Sequence, residues 1–314
     1  MAMVLANTRD MAREQWLAWR RRGIGGSDAP KILGLSRYGS AFTVWLEKIG
    51  EAEPEEPGEP AYWGTVLEPV IAAEFERQTG LKLRRRNAIL QHPEHPWMLA
   101  NVDRLVVGRR EGVEIKTAAA WKAGEWDGDN IPDDYYVQCQ HYMAVTGYQR
   151  WWIAVLIGGN AFRYKLVERD EAFIEALVAA ERKFWWHVEQ RVPPEPDGSD
   201  RATEYLARRY PQSNGQQIEL SPEAERWIQQ YEQAAQEERE AKARKEEAAN
   251  HLRALLGENE TGRLRTWTVS WKSYTSTRLD TKALQTEMPD VYERYLRTIE
   301  SRRFLVKSNQ AKEA

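Results

Sequence analysis

A single cysteine, Cys139, stands in 314 residues, which excludes an intramolecular disulfide and any multi-thiolate zinc or iron–sulfur site. No apolar run approaches the length that spans a bilayer, and residues 1–22 lack the apolar stretch of a signal peptide, so a cytoplasmic protein with no membrane partner is expected. No Gly-x-x-x-x-Gly-Lys-Ser/Thr segment occurs, which leaves the chain without a P-loop and without an ATP-driven motor of its own. Internal repeats are also lacking. The net charge of −3 offers no overall basic excess, yet an acidic exterior is compatible with a basic groove, so nucleic acid stays open as a partner.

What is present is globular. With 42% hydrophobic and 30% charged residues, the chain is long enough for one large domain or for a catalytic domain with an appendage. Its 14 tryptophans are many, and the pairs Trp151-Trp152 and Trp185-Trp186 lie in apolar runs, which assigns most of them to packing and leaves a few to stack on bases.

Periodicity and punctuation order the chain. A helix is expected over residues 10–21, then the loop Gly25-Gly26-Ser27-Asp28 opening a short helix to Leu33. Residues 51–60, with five Glu and three Pro, read as an acidic linker, and a helix beginning at Trp63-Gly64 runs to Thr79 with Gly80 as its stop. Strand-like segments follow at 81–90, 97–107 and 112–117, then a helix from Asp133 or Asp134 to Thr146, a hairpin of 151–157 with 161–167, and a helix from Asp170 to Gln190. The proline-rich segment 193–198 marks a boundary, giving a domain at 1–198 and a C-terminal arm at 199–314. In the arm, a helix from Ser221 to Leu256 would be about 50 Å long. A strand at 267–271, short helices near 281–298, and a segment 302–307 able to pair back complete it.

The most informative residues are Asp103 and, eleven positions on, Glu114 of Glu114-Ile115-Lys116. A hairpin turning through Gly108–Glu111 sets Asp103 opposite Lys116 and Leu105 opposite Glu114, and puts Asp103, Glu114 and Lys116 on one face. Two carboxylates suit Mg²⁺ or Mn²⁺, and the ammonium beside them can prepare an attacking water or offset charge building on a phosphate. A solvated hairpin is the commoner source of such a match. Against it stands the apolar setting, Val-x-Ile-x-Thr together with Trp97-Met98-Leu99-Ala100, since buried charges need partners or a metal.

Ahead of this hairpin, the glycine pair followed by Ser27, with Arg20 nearby, can converge on an anion; an ordinary turn capped by Ser27 or Asp28 reads equally well. Glu68 lies in the first turns of its helix, where an acid commonly serves the helix dipole.

The order of these pieces, Arg20, Gly25-Gly26-Ser27-Asp28, Trp63-Gly64 with Glu68, Asp103, Glu114-Ile115-Lys116 and Gln138-Cys139-Gln140, resembles the YqaJ-type viral recombinase family. That family includes the exonuclease of phage lambda and belongs to the PD-(D/E)xK nucleases; the resemblance covers roughly residues 13–190. It implies an α/β fold: a restriction-endonuclease-like core with a central mixed sheet flanked by helices, here followed by a long C-terminal helix and a small α+β appendage. It also implies Mg²⁺-dependent hydrolysis of double-stranded DNA from the 5′ end, with Mn²⁺ able to substitute. A ring-shaped homo-oligomer, a trimer by resemblance, a single-strand annealing protein as partner, and phage or prophage origin in a bacterial cytosol come with it. By the same resemblance Asp103, Glu114 and the Ile115 carbonyl hold the metal, Glu68 a second metal or its waters, and Lys116 activates the water. Gln140 supports the site, Gln138 and Asn101 contact DNA, and Arg20 and Ser27 form a 5′-phosphate pocket. Asn101 stands where the family has a serine, and Asp103-Arg104 replaces the usual Asp-Gly. Residues 215–314 have no counterpart in the minimal enzyme, and residues 221–314 are expected to contact a neighbouring subunit or the annealing protein. The competing readings are a PD-(D/E)xK endonuclease and a non-catalytic DNA-binding scaffold.

Overall fold

The structure, a computed structural model, describes residues 2–52, 58–297 and 302–307. It divides into two compact units, Met1–Tyr205 and Leu206–Ala314. The central part of the acidic linker, 53–57, lies outside the described residues, as do positions 298–301.

Along the first unit the elements run β1 (Met3–Asn7), α1 (Arg13–Arg20), α2 (Ala29–Ile32), α3 (Ala41–Ile49) and α4 (Glu59–Thr79). Four short strands follow, β2 (Leu83–Arg85), β3 (Ala88–Gln91), β4 (Leu99–Ala100) and β5 (Arg104–Val106), and then the long β6 (Glu111–Ala118). A 3-10 helix (Ala120–Trp126) and α5 (Asp133–Thr146) lead to the hairpin β7 (Arg150–Ile157) and β8 (Ala161–Glu168), to α6 (Glu171–Glu189), and to α7 (Asp200–Arg209).

The principal sheet has the order β2-β5-β6-β7-β8 and is mixed, because β6 pairs with β7 in parallel while its other pairings are antiparallel. Parallel pairing requires a crossover, and α5 supplies it. Alternation along β6 sorts the two faces. Val113 and Ile115 meet Ile71, Ala72 and Phe75 of α4, where full burial of Ile71 and Phe75 contributes on the order of 2–3 kcal/mol each. Leu105 and Trp151 meet Cys139, Tyr142 and Met143 of α5 on the other face. The sheet is thus sandwiched, and Glu114 projects to the α5 side. This is the expected α/β core with a central mixed sheet.

Three expectations change in detail. The turn falls one residue earlier than read, so Leu105 pairs with Gly112 rather than with Glu114. The offset is even, and an even slip keeps every side chain on its face, which is why the acids still converge. The segment 97–107 is not one strand: β4 belongs to a separate sheet, β1-β3-β4, and the chain crosses between sheets at Asn101–Asp103. α4 begins at Glu59, with Pro60 in its first turn where no N–H is needed, so Glu68 sits mid-helix rather than near the dipole's positive end. The helix nevertheless stops at Gly80, whose φ of 71° suits a residue without a side chain.

The second unit holds α8 (Glu223–Leu256), the hairpin of β9 (Thr261–Leu264) and β10 (Trp267–Ser270), α9 (Thr281–Glu287) and α10 (Pro289–Tyr295). Only Leu256 of α8 is buried, as a helix interrupted by Glu238 and Lys245 leads one to expect. Residues 302–307 form no strand; Phe304 instead sets its ring edge-on to Tyr231, 5.7 Å away. The proline-rich segment put the boundary at 198/199, but Ala202 and Tyr205 pack on Phe42 and Trp45, so the first unit runs on to Tyr205.

Candidate active site

Asp103 leaves the end of β4's crossing segment just before β5, and its Oδ2 accepts the backbone N–H of Ile115 on β6 at 2.9 Å. That bond fixes the carboxyl beside Glu114. Glu114, 2% exposed, accepts from the Lys116 ammonium at 2.6 Å and from the Gln138 amide at 2.7 Å, both on Oε1. Its Oε2 is buried and accepts no hydrogen bond. Burial, reinforced by the neighbouring Glu114, pushes the Asp103 carboxyl well above the usual carboxylate range, against the pull of Lys116. Burial by itself would lower the Lys116 ammonium, but Glu114 and Asp103 outweigh it and hold Lys116 above the usual lysine range. Lys116 also lies over the Tyr135 ring at 5.1 Å.

Such a cluster is short of positive charge. An orphaned carboxylate oxygen, a strained neighbouring carboxyl and a hard oxygen donor set fit a divalent cation held by Asp103, Glu114 and the Ile115 carbonyl. Among the described residues, however, no group of three or more His, Cys, Asp or Glu is gathered to hold a metal. Glu68 is the member that fails to join. It is paired with Arg104, whose side chain is nearly buried. Glu68 remains a neighbour, lining a cavity that also touches Asn101 and Asp103.

Gln138 stands in the place beside the acids expected of Gln140, and Gln140 lies elsewhere. Gln138 faces the sheet, donating to Glu114 and to the Tyr142 hydroxyl at 2.8 Å. Gln140 is buried away from the acids, donating to the Glu168 carbonyl at 2.8 Å and accepting from the Asp170 N–H at 3.1 Å, where it ties α5 to the start of α6. Two residues apart on an α-helix point in nearly opposite directions, so only one of the pair can reach β6.

A second cluster surrounds Arg20. Its Nη2 donates to Ser27 Oγ at 3.2 Å and to Asp28 Oδ1 at 2.9 Å, and its guanidinium lies over Trp16 at 5.0 Å. Asp28 is fully buried and also accepts from Lys48 Nζ at 2.6 Å and from the Gly25 N–H at 3.0 Å. Burial would raise its carboxyl, but Lys48 and Arg20 outweigh this and hold it well below the usual range. Asp28 therefore does not cap α2 with its side chain; its oxygens are committed to the two bases and the loop. Gly26 is required here, because a Cβ would come within 2.6 Å of the Tyr142 ring.

One cavity of about 210 Å³ is shared by the clusters, its lining including Arg20 and Ser27, Asp103, Glu114 and Gln138, and Asn101. Lys48, Trp16 and Tyr142 were not singled out from sequence. The signal for Lys48 was present: a lysine four residues from Val44 in Phe42-Thr43-Val44-Trp45-Leu46 lies on the buried face of an apolar helix.

The chain as a whole is similar to several known proteins. Residues 15–149 match the YqaJ-like viral recombinase domain. The protein YqaJ of Bacillus subtilis strain 168, itself described as uncharacterized, is 42% identical over 311 residues, 98% of each chain. Among solved structures, an alkaline exonuclease from Laribacter hongkongensis superposes with a TM-score of 0.50 at 23% identity, covering 62% of this chain and 97% of that one. The same enzyme in complex with dAMP matches equally.

Proposed function

The chain belongs to the YqaJ-like viral recombinase family, and on that premise we propose that it is a metal-dependent 5′→3′ double-strand DNA exonuclease that leaves 3′ single-stranded tails for homologous recombination. A nuclease role in recombination is what the family and the fold support; the polarity, the substrate and the metal are our reading of the site. The observation that carries it is the shared cavity, in which the hydrogen-bonded Arg20 and Ser27 open onto the same space as the Asp103–Glu114 acids. A pocket for a terminal phosphate beside a cleavage centre is useful to an enzyme that works from an end, and superfluous to one that cuts internally.

In this scheme Arg20 and Ser27 bind the 5′-terminal phosphate and set the polarity. Asp103, Glu114 and the Ile115 carbonyl hold Mg²⁺, or Mn²⁺ in its place, which when bound supplies Lewis-acid polarisation of the scissile phosphate. Lys116 orients the attacking water and places positive charge where negative charge accumulates on the phosphate. Gln138 holds Glu114 in place from behind, and the Asn101 amide donates to a backbone phosphate. Release of one terminal nucleotide would yield a nucleoside 5′-monophosphate, the class to which dAMP belongs.

Without a P-loop, processivity has to come from enclosing the DNA, so a ring-shaped homo-oligomer, a trimer, belongs to the same proposal, with residues 221–314 meeting a neighbouring subunit or a single-strand annealing protein. A bacterial cytosol is the compartment that holds such partners. No helix among the described residues is long and apolar enough to cross a membrane.

The test is a gel comparing linear and covalently closed circular duplex, with Mg²⁺ and with EDTA. Degradation of the linear form alone, in Mg²⁺ alone, and faster from 5′-phosphorylated ends, is expected. Nicking or cutting of the circle would establish an endonuclease, and binding without cleavage a scaffold.

A further inference from the structure

We propose that Asp28 and Lys48 are positioning residues for the terminal-phosphate pocket, holding Arg20 at both of its ends; the inference rests on the exonuclease reading above. Lys48 lies on the inward face of α3, its side chain only 2% exposed, among residues such as Val44, Trp45 and Leu46 that already form a continuous apolar packing. A lysine in that place is not needed by the fold, because apolar residues of similar volume generally replace buried ion pairs without loss. Its contacts say what it does. Nζ donates to the backbone carbonyl of Arg20 at 3.0 Å and to Asp28 Oδ2 at 2.6 Å, while Asp28 Oδ1 receives the Arg20 guanidinium at 2.9 Å. Lys48 therefore grips the main chain of Arg20 directly and its side chain through Asp28.

A third bond to Asp28, from the Gly25 N–H to Oδ2 at 3.0 Å, locks the glycine loop into the same assembly and so places Ser27, which shares Nη2 of Arg20. The Trp16 ring supports the guanidinium at 5.0 Å. A free arginine samples many rotamers, and a phosphate would have to order it on binding. Here the ordering is done in advance. The charges also matter: one acid between two bases leaves a positive excess, and the Arg20 side chain, 29% exposed, is the member that presents it to the cavity.

The experiment measures kcat and KM of the full chain on linear duplexes ending in 5′-phosphate or 5′-hydroxyl. Two variants are compared with wild type: Asp28→Asn/Lys48→Met, which removes both buried charges together, and Asp28→Glu, which keeps the charge but displaces the carboxylate by one methylene. In each folded variant the ratio of kcat/KM between the two ends should fall at least tenfold, through KM on the 5′-phosphorylated end. A folded variant of either kind that keeps the wild-type ratio overturns the proposal, as does a loss shared equally by both ends. A wild-type enzyme that shows no preference between the ends overturns the exonuclease pocket and this inference together, whereas wild-type preference retained in the variants overturns the inference alone.

Discussion

The two charged clusters that line the cavity are opposite in composition. In one, two acids, Asp103 and Glu114, share the base Lys116; in the other, two bases, Arg20 and Lys48, share the acid Asp28. Their hydrogen bonding differs in the same sense. Both oxygens of Asp28 are engaged, whereas Glu114 Oε2 is buried with no hydrogen bond and the Asp103 carboxyl is pushed up by burial and by its neighbour. The comparison teaches that a buried cluster can be complete or deliberately short. The complete one holds a side chain still, and the short one keeps a buried oxygen and an excess of negative charge that a cation would satisfy.

Removing an acid from the short cluster should break the comparison most. Asp103→Asn and Glu114→Gln should each lower cleavage by about 10³-fold or more. Asp103→Asn should at the same time raise the melting temperature, because it relieves repulsion while Asn can still accept the Ile115 N–H; a gel assay paired with thermal melting checks both signs. Lys116→Met should cost about 10²–10³ in single-turnover rate and, unlike the acid variants, also destabilise the fold. With solvent screening of its partly exposed ammonium allowed for, the loss is on the order of 1–2 kcal/mol by urea titration.

Smaller effects should separate the two glutamines. Gln138→Leu should reduce cleavage roughly tenfold with the melting temperature nearly unchanged, whereas Gln140→Leu should lower stability by about 1 kcal/mol and leave the rate close to wild type. Equal effects on rate would show that the α5 facing described above does not govern the chemistry.

The smallest effect concerns a third buried pair, one acid with one base and no excess. His141 Nδ1 meets Glu181 at 2.8 Å and Nε2 meets the Leu99 carbonyl at 2.8 Å, both residues lying at 0% exposure. Burial would lower the imidazole's pKa, but Glu181 and the Leu99 carbonyl outweigh it and hold it above the ordinary 6.5. Folding therefore takes up a proton between the ordinary and the raised value. The pair's contribution is full below about pH 6.5 and is lost as pH rises through the raised value. Unfolding free energies measured from pH 6 upward should fall in wild type over that window, and Glu181→Gln should flatten the slope.

Much of this was legible in the sequence because it is local. The helix over Asp133–Thr146 with Gly147 behind it, the hairpin of β7 and β8, and the Asp170 cap of α6 are each declared within a few residues. The acids converged despite a misplaced turn, because strand alternation tolerates an even slip. What was not legible depended on direction or on distance. Whether Gln138 or Gln140 faces β6 is set by the rotation of α5 over the sheet, and Lys48 reaches Asp28 across twenty residues. The pairing of Arg104 with Glu68 joins a helix to a strand that periodicity treats separately.

The clusters come into one cavity through main-chain contacts. Ile24 forms an isolated parallel bridge with Met98, its N–H donating to the Trp97 carbonyl at 2.6 Å and its carbonyl accepting from Leu99 N–H at 2.8 Å. A bridge of peptide groups is indifferent to which side chains flank it, proline apart. The demanding position is Gly23, where a Cβ would fall 2.5 Å from the Trp97 carbonyl oxygen. Descendants of this chain can therefore retune the stretch that carries Arg20 to Lys48 with little effect on the stretch that carries Asp103 to Gln138, and end preference and cleavage chemistry can diverge as separately heritable traits so long as Gly23 and Gly26 are kept.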